Sequence, residues 1–171
     1  MKGLIRTLAR GKPQNQAVRK QRVKLTAKAI QVDGATGVGW GTAVIGDLPE
    51  GNILILGAAA YLQFTKAAAA SGIQAAFDGD YSIGTTATAD ATLSGTDVNI
   101  IASSALGAAT AGVSPVARGI SAAPGAPLDN TDGSLELNLN LLIDDANISA
   151  DDQDLTVTGV VDIVYVVLLD D

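Results

Sequence analysis

Residues 134–143, SLELNLNLLI, and residues 154–169, DLTVTGVVDIVYVVLL, decide how this chain folds. In the first, Leu135, Leu137, Leu139, Leu141 and Ile143 alternate with Ser134, Glu136, Asn138 and Asn140. A period of two places the aliphatic side chains on one face of a strand and the polar ones on the other. The second stretch is rich in Val, Ile and Thr and has no proline, so it reads as a long strand. Its later half is apolar on both faces, which fits a central position or an edge covered by a partner. A lone strand pair does not recover the backbone entropy of fixing it, so its apolar face must lie on a second layer.

The rest of the chain supplies short extended segments between turn signals. Val23–Ala29, Gly37–Gly46, Asn52–Leu56, Ala60–Lys66, Ile73–Phe77, Tyr81–Thr88, Ala91–Leu93 and Val98–Ile101 read as strands. Asp33-Gly34, Asp47–Gly51, Asp78-Gly79-Asp80 and Ser94-Gly95 mark turns between them. This pattern predicts a mainly β protein, a two-sheet antiparallel β-sandwich of jelly-roll type. Residues 1–22 read as an extended basic N-terminal arm and 23–171 as the body. Within the body, 103–132 is rich in Ala, Gly, Ser and Pro and reads as one long loop.

Composition removes several chemistries. The 171 residues contain no His and no Cys, which excludes histidine-based triads, thiolate nucleophiles, disulfides and sulfur-ligated metals. Glu50 and Glu136 leave glycoside-type acid/base work conceivable. Yet one lies in a turn and the other on the polar face of an alternating strand, where solvated charges belong. Gly37, Gly39 and Gly41 do not make a dinucleotide fingerprint, because no helix follows; a close backbone approach explains them. The cluster Asp144, Asp145, Asp151, Asp152 and Asp154 is oxygen-rich but lacks the EF-hand spacing and its glycine, so it reads as a solvated loop before a calcium site. No cofactor and no enzymatic activity are expected. The N-terminus carries no convincing targeting signal, since Arg6 and Arg10 interrupt any apolar run, and no helix-length apolar stretch suggests a membrane partner.

Charge is strongly segregated. Residues 1–32 hold nine basic residues and no acidic one, whereas 33–171 hold two basic and eighteen acidic. A cationic leader is attached to an anionic body. Nucleic acid would bind such a leader with a steep salt dependence. However, the leader has no aromatic residue for base stacking, and the body repels phosphate. An acidic protein surface fits better, with Lys2, Arg6, Arg10, Lys12, Arg19, Lys20 and Arg22 as the docking residues. Each exposed pair contributes about 0.2–1 kcal/mol, multiplied by avidity in an oligomer.

Three stretches, DGATGVGWGTAVIGDLPEGNILILGAAAYLQF (33–64), FDGDYSIGTTATADATLSGTDVNIIAS (77–103) and LDNTDGSLELNLNLLIDDANI (128–148), together resemble the head decoration, or cement, proteins of tailed bacteriophages. The resemblance implies a sandwich or jelly-roll body, a homotrimer, and the major capsid protein as partner. It also implies a place on the outer capsid surface of the virion after synthesis in the host cytoplasm. It carries no catalytic or contact residues over to this chain. Two other functions compete: a head-fibre, adhesion or carbohydrate-binding module using the long loop, and nucleic-acid binding through the arm.

Overall fold

The structure, a computed structural model, describes residues 17–34, 38–67, 72–122, 125–144, 148 and 153–168. Nine strands follow in order: β1 (Arg19–Asp33), β2 (Gly39–Asp47), β3 (Gly51–Lys66), β4 (Gly79–Gly84), β5 (Ile101–Ala105), β6 (Ala117–Ile120), β7 (Leu128–Asn130), β8 (Glu136–Ile143) and β9 (Gln153–Leu168). A single 3-10 turn, Gly95–Asp97, is the only helical element among the described residues. The protein is mainly β, as the alternation predicts.

All nine strands belong to one sheet, in the order β5-β4-β8-β2-β1-β9-β3-β6, with β7 also pairing β3. Every ladder is antiparallel. The ends of this path meet: Ile101 bridges Ser121, and the Ala122 N–H donates to the Ile100 carbonyl at 3.0 Å. The sheet therefore nearly closes into a barrel, which leaves few unpaired edges.

The two deciding strands are not neighbours. β8 lies between β4 and β2, and β9 lies between β1 and β3, so they face one another only across the interior. Period-two patterning assigns a face to each residue but says nothing about which strand pairs with which. The interior is filled from both: Leu137, Leu139, Leu141 and Ile143 meet Leu155, Val157, Val161 and Ile163 in one buried cluster. Phe64 and Tyr81 pack within it, ring centroids 5.6 Å apart and tilted by 48°.

Four further expectations are corrected. Asn52–Leu56 and Ala60–Lys66 are one 16-residue strand, β3, because a bulge at Leu56 carries the ladder past Gly57. Residues 103–132 are not one loop, since β6 and β7 both pair β3 there. Ala91–Leu93 and Val98–Ile100 form no strands. Finally, Asn138 and Asn140, on the polar face of β8, are buried rather than solvated, at 4% and 0% exposure. The segment from Thr85 to Ile100 folds over them. Gly84 permits this: a Cβ there would lie 2.1 Å from the Thr96 carbonyl oxygen. The glycine-rich second strand has the close approach expected of it, a Cβ at Gly41 falling 2.3 Å from the Gln31 carbonyl oxygen.

Tyr81 gives a stability prediction. Its buried hydroxyl has no hydrogen-bond partner among the described residues, and a Cβ at Gly119 would lie 2.6 Å from it. Desolvation pushes its pKa up to about 12 from 10.0. The folded state holds this proton more tightly than the unfolded chain. Its share of stability is thus full below pH 10 and lost as pH rises to about 12. Tyr81→Phe is expected to raise stability at pH 7 by about 1 kcal/mol, by removing an unsatisfied buried group. It should also flatten the alkaline loss between pH 10 and 12, which urea titrations across that range measure.

Candidate functional site

The sheet face formed by β1, β9 and β3 brings together the charge and apolar features left over from the core. Lys20, Arg22 and Lys24 alternate along the outer side of β1, opposite Val164, Asp162 and Val160 of β9. Asp162 interrupts the apolar part of the outer row, Val160 to Val166, and the register sets Arg22 directly across from it. The guanidinium donates twice to the carboxylate, from Nε to Oδ1 and from Nη2 to Oδ2, both at 2.7 Å. Lys20 Nζ adds a contact at 3.1 Å.

This bidentate geometry is the strong form of the ion pair. The hydrogen bond from Arg22 holds the Asp162 carboxyl well below the usual carboxylate range, with Lys20 adding to it. The same bond raises the Arg22 guanidinium. A depressed carboxyl stabilises the fold above its unfolded pKa of about 4 and loses that contribution as pH falls further. Asp162→Asn is therefore expected to lower the melting temperature at pH 7 and to weaken its decline below pH ~4. Thermal melts from pH 2 to 7, at low salt, check both effects.

The structure redraws the arm. The sheet begins at Arg19, so Arg19, Lys20 and Arg22 belong to β1, and the latter two are ion-paired within their own chain. Lys2, Arg6, Arg10 and Lys12 lie outside the described residues. One signal in the sequence anticipates the pair: a lone aspartate in an apolar strand requires a cation opposite it.

The end of the barrel where β1 begins is acidic. Asp47, Glu50, Asp129, Asp132 and Glu136 are all exposed there. Gln21, near the start of β1, donates to the Asp47 carbonyl at 3.0 Å, which fixes the strand start at this end. Buried Asn130 braces the turns, donating to the carbonyls of Leu48 and Pro49 and accepting from the Leu135 N–H at 2.7 Å. Asp132 accepts from the Ser134 hydroxyl at 2.7 Å, and this bond, reinforced by the Ser134 N–H, holds its carboxyl below the usual range. Glu50 and Glu136, the conceivable acid/base pair, are thus exposed members of this acidic rim.

Between the cationic row and the acidic turns runs an apolar strip. Val164 and Val166 of β9 lie beside Gly57 and Leu54 of β3, with Leu56 exposed at its bulge. Arg118 on β6 caps the far side, 5.0 Å over the Tyr61 ring. Beyond β3 a groove of about 350 Å³ opens along Leu54–Gly57 and Leu128.

Of the aspartate cluster, Asp144 and Asp154 are described and Asp145, Asp151 and Asp152 lie outside the described residues. No group of three or more metal-ligating side chains occurs among the described residues. Nor is any helix there long and apolar enough to cross a membrane. Compared with known proteins, the chain matches no protein-family model, and no curated protein matches it.

Proposed function

We propose that this chain is a structural, non-catalytic protein that decorates the outer surface of a bacteriophage capsid and stabilises it by bridging capsid subunits. It acts as a homotrimer on the major capsid protein. The nearly closed sheet serves as a stiff, flattened block, a two-layered body of jelly-roll type. Lys2, Arg6, Arg10, Lys12 and Arg19 supply the docking charge, while Lys20 and Arg22 act mainly through their pairing with Asp162.

One observation carries this reading: cations are gathered in the sequence up to and including β1, while five exposed carboxylates, Asp47, Glu50, Asp129, Asp132 and Glu136, stand at the barrel end where β1 begins. A cationic leader sequence is attracted by an acidic surface that would repel the acidic body alone. The resemblance over 33–148 and the absence of His and Cys from the sequence agree with a structural role. To test it, purified protein is added to phage heads lacking decoration. The heads are expected to bind a fixed number of copies and to survive a higher temperature before releasing DNA. Saturable binding with no gain in heat resistance would argue for adhesion, and binding to free DNA in preference to heads would argue for the nucleic-acid reading.

A further inference from the structure

The wall of the barrel is open between β1 and β2. β1 lies between β2 and β9, yet among the described residues its ladder with β2 holds only Val32↔Gly41 and Asp33↔Trp40. Its ladder with β9, by contrast, runs from Arg19 to Val32. Thr26, Ala27, Lys28 and Ala29 are exposed one after another, where an interior strand would alternate. The two strands approach again at the far end. There a Cβ at Gly46 would lie 3.6 Å from Val23, and Gln21 donates to the Asp47 carbonyl. Between these closures lies an open cleft of about 530 Å³, lined by Lys24, Leu25, Thr26 and Lys28 on one side and Val44 and Ile45 on the other.

The opening is built into the backbone. β1 slips register against β9 between Leu25 and Lys28, and β2 slips against β8 between Val44 and Gly46, so both walls are bulged. Ala27 has a φ of +48°, in the left-handed region that alanine adopts only under strain. Its N–H donates to the Thr158 hydroxyl at 3.1 Å, which ties the bulge to β9 rather than to β2. Strand edges left bare in this way accept another strand. The side chains specify which kind. An added strand would alternate, one face toward buried Leu25 and Ala43 and the other beside Lys24, Lys28 and exposed Val44. Neither lysine is ion-paired among the described residues. The chain's own ends do not fit. Its leader, with Lys2, Arg6, Arg10 and Lys12, has the wrong charge for this rim. Residues 169–171 span about 10 Å when extended, whereas Leu168 stands roughly 26 Å along β9 from Val160, the residue level with Lys24.

We propose that this cleft takes an extended, carboxylate-bearing segment of another protein as an added strand, one in which apolar residues alternate with aspartate or glutamate. About five residues, at roughly 3.3 Å each, suffice to pass from Lys24 to Ala29. Backbone pairing to the bare edges of β1 and β2 supplies the affinity, and Lys24 and Lys28 select the carboxylates. The site uses no residue of 1–16 and needs no capsid, so its failure leaves leader-driven attachment standing and the reverse also holds.

The probe is a short, end-blocked fluorescent peptide alternating glutamate and valine, titrated against the purified full chain by anisotropy. Saturable binding at about 1–100 μM, weakening as salt is raised, is expected. Lys24→Glu combined with Lys28→Glu should weaken it at least about tenfold and make the chain prefer the lysine–valine counterpart of the peptide. Hydrogen exchange should slow at residues 24–29 and 42–45 when the glutamate peptide binds. Thermal melts confirm that the double variant is folded. No binding up to about 1 mM overturns the proposal, as does a folded double variant that binds the glutamate peptide like the parent, or binding that leaves these amides unprotected. Protection already present in the free chain, and lost on dilution or on deletion of residues 1–16, also overturns it, since the cleft would then hold a second copy or the leader.

Discussion

Replacing Gly159 with alanine is expected to destabilise the protein by about 3–5 kcal/mol, a large part of the roughly 5–15 kcal/mol that holds such a domain together. Gly159 lies within β9, opposite Leu25 of β1 and Leu62 of β3. Its φ is +153°, and a Cβ would stand 2.0 Å from the Tyr61 carbonyl oxygen. The obstacle is backbone in a paired strand, so relief requires β3 and β9 to part where their ladder runs from Asn52 to Lys66. Backbone strain of about 1–3 kcal/mol then adds to lost pairing and packing. Gly57→Ala in the adjoining strand is the control. Its nearest contact would be the Ser121 hydroxyl at 3.7 Å, so it should cost under about 1 kcal/mol. Urea unfolding of both variants distinguishes a specific close approach from a general intolerance of side chains in these strands.

Asn140→Ala is expected to cost a similar amount, about 3–5 kcal/mol, through polar groups left without partners. The Asn140 Oδ1 accepts from the Thr42 hydroxyl and the Thr88 N–H, both at 2.9 Å. Its Nδ2 donates to the carbonyls of Thr86 at 2.9 Å and Asp97 at 3.0 Å. This one side chain therefore ties the Thr85–Ile100 segment to β8 and β2. Each buried group left unpaired costs about 1–3 kcal/mol, and local relaxation recovers part of that. Amide exchange should accelerate across residues 85–99 before it does so in β9. Equal acceleration in both would mean that the segment is not a separate cooperative unit.

The side chains of β8 show what the sequence could and could not convey. Leucines at every second position specify a strand and the face it buries, and both are as expected. The asparagines between them carry the same period-two signal whether water or another segment lies above. Only the fold of residues 85–99 decides which, and that depends on contacts across more than forty positions. Pairing order was hidden for the same reason, since β8 and β9 each look like half of a sandwich and share no ladder. A single, nearly closed path through β2 and β1 satisfies the same alternation.

The site was legible in its charges and less so in its boundaries. Segregation of cations into 1–32 is visible in the sequence alone. That Lys20 and Arg22 are held by Asp162 is not, because the partners are separated by 140 positions in the case of Arg22. A charge in a strand and a charge in an arm look alike until the register is known. The apolar later half of β9 was readable as a central position, and β9 lies between β1 and β3.

The central claim is that a cationic leader fastens an inert block to a larger acidic surface. Deleting residues 1–16 removes Lys2, Arg6, Arg10 and Lys12 and leaves β1 whole. With about 0.2–1 kcal/mol for each exposed pair, the four charges are worth roughly 4- to 900-fold in affinity per copy, and more where several copies act together. Titrating full-length and truncated protein onto undecorated phage heads, and counting bound copies at two salt concentrations, measures this directly. Truncated protein that folds normally but needs at least about tenfold more concentration to fill the heads, with little remaining salt dependence, is the predicted result. Identical occupancy curves for the two proteins would contradict it.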